Sequence, residues 1–188
     1  MSKRLFLAIP IKPNSQLLRQ RRFLMSNLTE EKINWVKEDK LHLTLKFIGK
    51  TQAKQIPEII KAIKNCVKNF NSFQMSLERI GIFGSNYHAR VVWVGIRENE
   101  QLRALQGSVI QELETIGFNG DRQNFVPHFT LGRIKKIRNK DHFKRVMERT
   151  EKGFIQEVKV DDFVLLESVL TTEGPIYETI ERFMLRTV

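Results

Sequence analysis

The chain has 188 residues, with 32 Lys and Arg against 21 Asp and Glu, a formal net charge of +11. Its 41% apolar content and 13 Phe exclude disorder, and the length suffices for a real core. A single Cys, Cys66, excludes an intrachain disulfide framework and a cysteine-rich zinc site. No apolar run approaches the roughly 20 residues of a spanning helix, and Leu5–Ile9 is too short for a signal peptide. The chain is therefore expected in the cytoplasm, away from membranes.

Arg4–Ile9 (RLFLAI) is a continuous apolar run and predicts a buried strand. Pro13, Asn14 and Ser15 start a helix in which Leu17, Leu18, Arg21, Leu24 and Met25 recur at helical spacing. Leu41–Gly49 (LHLTLKFIG) predicts a strand ending at glycine. Pro57 suits a first helical turn, and Ile59, Ile60, Ile63 and Val67 mark one helix face. Phe73–Phe83 and Arg90–Ile96 are strand-like; Leu102, Leu105, Val109, Leu113 and Ile116 predict a helix closed by Gly117. His128–Ile134 is a strand and Asp141–Arg149 a short charged helix. Phe163–Glu167 and Tyr177–Leu185 are strands around a turn at Gly174–Pro175.

The order strand, helix, strand, helix occurs twice, which points to duplication. RLFLAI from Arg4 resembles RVVWVGI from Arg90, and each half then delivers a His-x-Thr-Leu strand, at His42 and at His128. Both intervals, Arg4 to His42 and Arg90 to His128, are 38 positions (42 − 4 and 128 − 90). No Ser/Gly-rich linker separates the halves. The expected fold is α+β: one domain over residues 1–188, made of two pseudo-symmetric lobes around a central cleft. Each lobe is an antiparallel sheet with flanking helices.

Residues i and i+2 of a strand share a face. His42 and Thr44 therefore project together, as do His128 and Thr130, while Leu43 and Phe129 point into a core. Facing lobes would bring two imidazoles and two hydroxyls to one cleft. One imidazole can take a proton from water and the other can protonate a leaving alkoxide. Thr hydroxyls can donate to non-bridging phosphate oxygens. These parts suit phosphodiester chemistry without a metal or a cofactor. With 10 Thr in 188 residues, two of four His preceding Thr by this spacing is an accident of roughly 1–2%.

Other candidates are weaker. His88 follows the turn Gly84–Tyr87 without a partner pattern, and His142 sits beside Asp141 at a helix start. Asp161 and Asp162 suit a strand entry, and Gly81–Gly84 a turn. Neither a P-loop nor a Gly-x-Gly-x-x-Gly run is present, and metal-ligand spacings are missing. The positive excess predicts a polyanionic partner. Basic residues cluster at Arg19, Arg21 and Arg22, and again at Arg133, Lys135, Lys136, Arg138, Lys140, Lys144 and Arg145. With only Phe143 interleaved, the second cluster favours phosphate contacts over base stacking.

These motifs resemble the two-histidine (2H) phosphoesterase superfamily, and within it the RNA 2',3'-cyclic phosphodiesterases, historically called 2'-5' RNA ligases. The resemblance runs through RLFLAI, Trp35, HLTLKFIG, IGIFG, ARVVWVGI, FVPHFTLGR, LLESVL, Gly174–Pro175 and Tyr177. It implies metal-independent hydrolysis of a 2',3'-cyclic phosphate, on RNA or a nucleotide, to a 2'-phosphomonoester. It makes His42 the proton donor and His128 the proton acceptor, with Thr44, Thr130 and Arg133 on the phosphate. The near symmetry of the motifs supports either direction of proton transfer. Two alternatives are 2'-5' ligation of RNA at the same site and a non-catalytic RNA-binding module. A site built within one chain implies a monomer.

Overall fold

The run after Arg4 lacks polar alternation because both of its faces are covered. It forms β1 (Ser2–Pro10), whose Leu5, Leu7 and Ile9 enter the main core. Phe6 and Ala8 pack on the other face with Val164 and Leu166. The structure, a computed structural model, describes residues 2–84, 88–119, 125–172 and 174–187. Along them follow α1 (Ser15–Asn27), β2 (Lys32–Trp35), β3 (His42–Gln52), α2 (Ile56–Val67), β4 (Phe73–Phe83) and β5 (Val91–Ile96). Then come α3 (Glu100–Thr115), β6 (His128–Lys136), α4 (Lys140–Glu148), β7 (Phe154–Val160), β8 (Asp162–Thr171) and β9 (Gly174–Met184).

The nine described strands form one sheet in the order β7-β4-β5-β6-β3-β1-β8-β9, with β2 beside β6. The order is balanced about its middle. Outward from the β6–β3 contact, one arm runs β3, β1, β8, β9 and the other β6, β5, β4, β7, with every strand pair antiparallel. The fold is α+β, with four described helices.

The helices cross between the arms. α1 follows β1 yet packs against β7 and α4, whereas α3 follows β5 yet packs against β3 and α2. α1 is tied there by polar contacts. Gln156 accepts from the Asn14 N–H (2.9 Å) and donates to the Lys12 carbonyl (2.8 Å). Three helices start with the same device: Asn14, Asn99 and Asn139 each accept from the backbone N–H three residues on, satisfying an otherwise orphaned donor. One core cluster joins Leu17, Ile63, Leu105 and Phe143 of the four helices to Leu43 and Phe129 of the central strands. The opposite face of β3 and β6 is thus left clear of helices.

The structure departs from the sequence pattern in several places: β3 runs past Gly49 to Gln52, and Gly81 lies within β4 rather than in a turn. Lys32–Trp35 and Phe154–Val160 are strands that the pattern does not predict. The first is four residues long, and the second hides one polar residue, Gln156, on its buried side. The hairpin between β8 and β9 turns before Gly174, since Pro175 already pairs with Leu170. The equal 38-residue spacing is off by one residue in the sheet. Ala8 lies opposite Thr44 (36 apart), but Trp93 lies opposite Thr130 (37 apart), so the counterpart of Arg90 is Leu5, not Arg4. Of the predicted turn Gly84–Tyr87, residues 85–87 lie outside the described residues.

Candidate active site

β3 and β6 meet at the pair Leu43 and Phe129, each 1% exposed. Their neighbours therefore project from the opposite, helix-free face. In antiparallel register about this pair, His42 comes level with Thr130 and Thr44 with His128. The four side chains lie on adjacent strands of one sheet, related by an approximate two-fold through the Leu43–Phe129 contact.

Strict alternation would turn Arg133, five residues after His128, away from this face. A bulge prevents that. Thr130 lies opposite Trp93 but Gly132 opposite Val92, so Leu131 is an extra residue that resets the alternation. β3 carries the same irregularity: Thr44 lies opposite Ala8 and Lys46 opposite Leu7, with Leu45 in excess. The two bulges return Phe47 and Arg133 to the histidine face. Gly132 is required beside its bulge, because a Cβ there would stand 2.8 Å from both Ile33 and Trp35 of β2.

The two imidazoles are held alike. His42 Nδ1 lies 2.8 Å from the Lys40 carbonyl and His128 Nδ1 lies 2.7 Å from the Val126 carbonyl. A carbonyl only accepts, so each ring carries its proton on Nδ1 and leaves Nε2 for a substrate. Burial pushes both imidazoles below the ordinary histidine range. The backbone carbonyls oppose that shift, and the positive charge of Arg133 adds to it at both rings. Arg133 also lowers the Tyr177 phenol, whose net shift is upward through burial. One guanidinium thus acts on both histidines and on Tyr177. The Thr44 and Thr130 hydroxyls have no hydrogen-bond partner among the described residues.

Aromatic walls fix the rings. His42 packs edge-on against Tyr177 (5.3 Å between centroids) and beside Phe6 (5.2 Å). His128 packs edge-on against Phe83 (4.6 Å), which lies over Trp93 (5.3 Å). The Trp93 indole N–H is buried without a partner among the described residues. The His-x-Thr pattern carries no signal for Phe6, Phe83 or Trp93. Tyr177 stands in the closing motif, but its place beside His42 follows only from the return of β9.

The remaining candidates are structural. His142 Nε2 meets the Asn27 carbonyl at 2.7 Å, joining α4 to α1. Asp161 and Asp162 pair with Lys159 (2.9 Å) and Arg182 (2.6 Å). Arg21 is no part of a basic surface: it is 9% exposed and bonds to Glu38 (3.1 Å) and the Val36 carbonyl (2.9 Å). In the second basic cluster, Arg138 and Lys144 make only long, exposed ion pairs with Glu30 and Glu148, both 3.9 Å. Among the described residues no group of three His, Cys, Asp or Glu side chains is placed to hold a metal ion. No helix among them is long and apolar enough to cross a membrane.

Residues 12–171 match the family model of the 2'-5' RNA ligase superfamily. The chain belongs to that superfamily. Relatives within it include an RNA 2',3'-cyclic phosphodiesterase of Thermotoga maritima, 32% identical over 94% of this chain and 92% of its own length. Another is an RNA 2',3'-cyclic phosphodiesterase of Methanocaldococcus jannaschii, 32% identical over 96% of this chain and 99% of its own. The fold of this superfamily member matches TT0787 of Thermus thermophilus (TM-score 0.81, 24% identity, 98% of each chain). It also matches E. coli LigT complexed with 3'-AMP (TM-score 0.75, 24% identity, 98% of this chain and 99% of that one).

Proposed function

We propose that the protein is an RNA 2',3'-cyclic phosphodiesterase that opens the cyclic phosphate to a 2'-phosphomonoester and a 3'-hydroxyl. The observation that carries this reading is the pair of carbonyl-held imidazoles with free Nε2 atoms, flanked by two hydroxyls and sharing one guanidinium. His128 Nε2 takes a proton from water as the water oxygen bonds to phosphorus. The P–O3' bond breaks, and protonated His42 gives its Nε2 proton to the departing O3'. Arg133, Thr44 and Thr130 donate to the non-bridging oxygens as their charge builds. The direction of transfer follows the family resemblance.

The same reading takes residues 1–188 as one domain of two related halves, acting as a monomer in the cytoplasm. The exchanged helices and the balanced strand order support it, as does a site drawn wholly from one chain. The test is hydrolysis of adenosine 2',3'-cyclic phosphate in EDTA, with 2' and 3' products separated. The expected result is a 2'-phosphate, with turnover lost in His42→Ala and in His128→Ala. Activity abolished by EDTA, or a 3'-phosphate product, would overturn the mechanism. Adding 5'-hydroxyl RNA to the same assay reads out any 2'-5' joining.

A further inference from the structure

Beside Arg133 a cavity of about 550 Å3 opens at the far end of β5 and β6. Arg90, Arg133 and Lys135 line it, with His88 and Val91. Its cations are held by the sheet. Val91 pairs with Arg133 across the two strands, and the Ile134 N–H donates to the Arg90 carbonyl at 2.9 Å. No carboxylate lines the cavity among the described residues. The side chains of Arg90, Arg133 and Lys135 make no ion pair or hydrogen bond among them either. Arginines elsewhere on the surface are neutralised: Arg97 pairs with Glu78 (3.1 Å) and Arg103 with Glu98.

Three cations around one concavity, unpaired among the described residues, repel one another and raise the local affinity for an anion. The size suits a nucleotide unit rather than a lone ion. Apart from His88 its lining offers no ring on which a base would stack. Arg133 is the shared wall, since it lines this cavity and also acts on both histidines. An anion bound here therefore sits next to the reacting phosphate.

We propose that this cavity holds the phosphodiester joining the terminal nucleotide to the one before it. The substrate is then an RNA end rather than a free nucleoside cyclic phosphate. The inference rests on the cyclic phosphodiesterase reading and adds a second phosphate contact, made by Arg90 and Lys135.

The experiment compares kcat/KM for adenosine 2',3'-cyclic phosphate, its 5'-phosphorylated form and the dinucleotide ApA ending in a 2',3'-cyclic phosphate. Wild-type enzyme is compared with Arg90→Gln/Lys135→Gln, after circular dichroism and thermal melts establish that the variant is folded. In the wild type the dinucleotide is expected to exceed the nucleoside by about tenfold. In the variant that ratio falls towards one. The salt dependence of log kcat/KM for the dinucleotide is expected to flatten by about 0.7, the value for one phosphate no longer neutralised on a single strand. Equal wild-type kcat/KM for nucleoside and dinucleotide, or a ratio unchanged in the variant, overturns the subsite and leaves the hydrolase reading standing. A gain for the 5'-phosphorylated nucleoside without one for the dinucleotide makes the ligand a terminal phosphate and overturns the phosphodiester assignment. Failure of the wild type on all three substrates overturns both readings.

Discussion

The arm carrying His42 and the arm carrying His128 share a backbone plan and differ in what surrounds it. Each places a His-x-Thr strand at the centre, a backbone carbonyl on Nδ1, and a bulge after the Thr. At the residue that each bulge returns to the site, one arm has Phe47, 62% exposed, and the other has Arg133. Opposite the Thr, one has Ala8 and the other Trp93. The lesson is a division of labour. Backbone symmetry holds two imidazoles alike, and side-chain asymmetry gives them different surroundings. The guanidinium that acts on both rings comes from the β6 arm.

The comparison breaks most sharply at the imidazoles themselves. His42→Ala and His128→Ala are each expected to lower kcat by about 10²–10⁴-fold. Their residual pH profiles distinguish the roles. A missing base removes the fall in rate at low pH, and a missing acid removes the fall at high pH. With the assigned direction, His128→Ala loses the acid limb and His42→Ala the alkaline limb; the opposite pattern exchanges the two roles.

Next comes Arg133→Gln, which removes the guanidinium that the β6 arm has where the β3 arm has Phe47. Loss of about 10–100-fold in kcat/KM is expected, as for a donor to developing phosphate charge. The guanidinium holds both imidazoles down, so its removal raises both, and the kcat/KM profile moves to higher pH. The wild-type optimum of that profile is expected below the ordinary histidine value of about 6.5, because burial and Arg133 lower both imidazoles.

A smaller effect is expected from Phe47→Arg, which puts a cation on the other arm. Phe47 packs 5.9 Å from Phe6, which in turn packs 5.2 Å from His42, so the new charge acts on the His42 side. The alkaline limb of the profile should move to lower pH, with little change in thermal stability because the side chain is exposed.

The smallest effect concerns stability. Both folded-state imidazoles are depressed, so the unfolded chain binds more protons once the pH falls to about 6.5 and below. Stability is full above that value and declines as pH drops through the depressed folded values. Thermal melts at pH 7.5 and 5.5 should show this decline, and His42→Gln should reduce it.

Much of this arrangement is legible in the sequence because it obeys short periods. The i, i+2 spacing of His42 and Thr44, and of His128 and Thr130, suffices to put each pair on one face, and Leu43 and Phe129 enter the core accordingly. β4 runs from Phe73 to Phe83, as its apolar pattern predicts. Arg133 is different. Its spacing from His128 points the wrong way, and only the extra residue Leu131, a matter of pairing with β5, brings it round. Arg21 is hidden from composition for a similar reason. A buried arginine bonded to Glu38 and the Val36 carbonyl has the same sequence appearance as a surface one. β7 shows the limit of pattern reading, since the buried Gln156 is stabilised by partners more than 140 positions away, at Asn14 and Lys12.

The exchange of helices and the late return of β8 and β9 bear on how the protein is made. β1 and β3, with His42 and Thr44, emerge early from the ribosome, but the strand that covers the outer edge of β1 is β8, and the ring beside His42 belongs to Tyr177 on β9. Meanwhile α1 has no β7 to rest on until the second arm has been synthesised. Neither arm is a self-sufficient folding unit. A nascent chain halted before Asp162 therefore carries both histidines but neither the strand that pairs with the outer edge of β1 nor the ring beside His42.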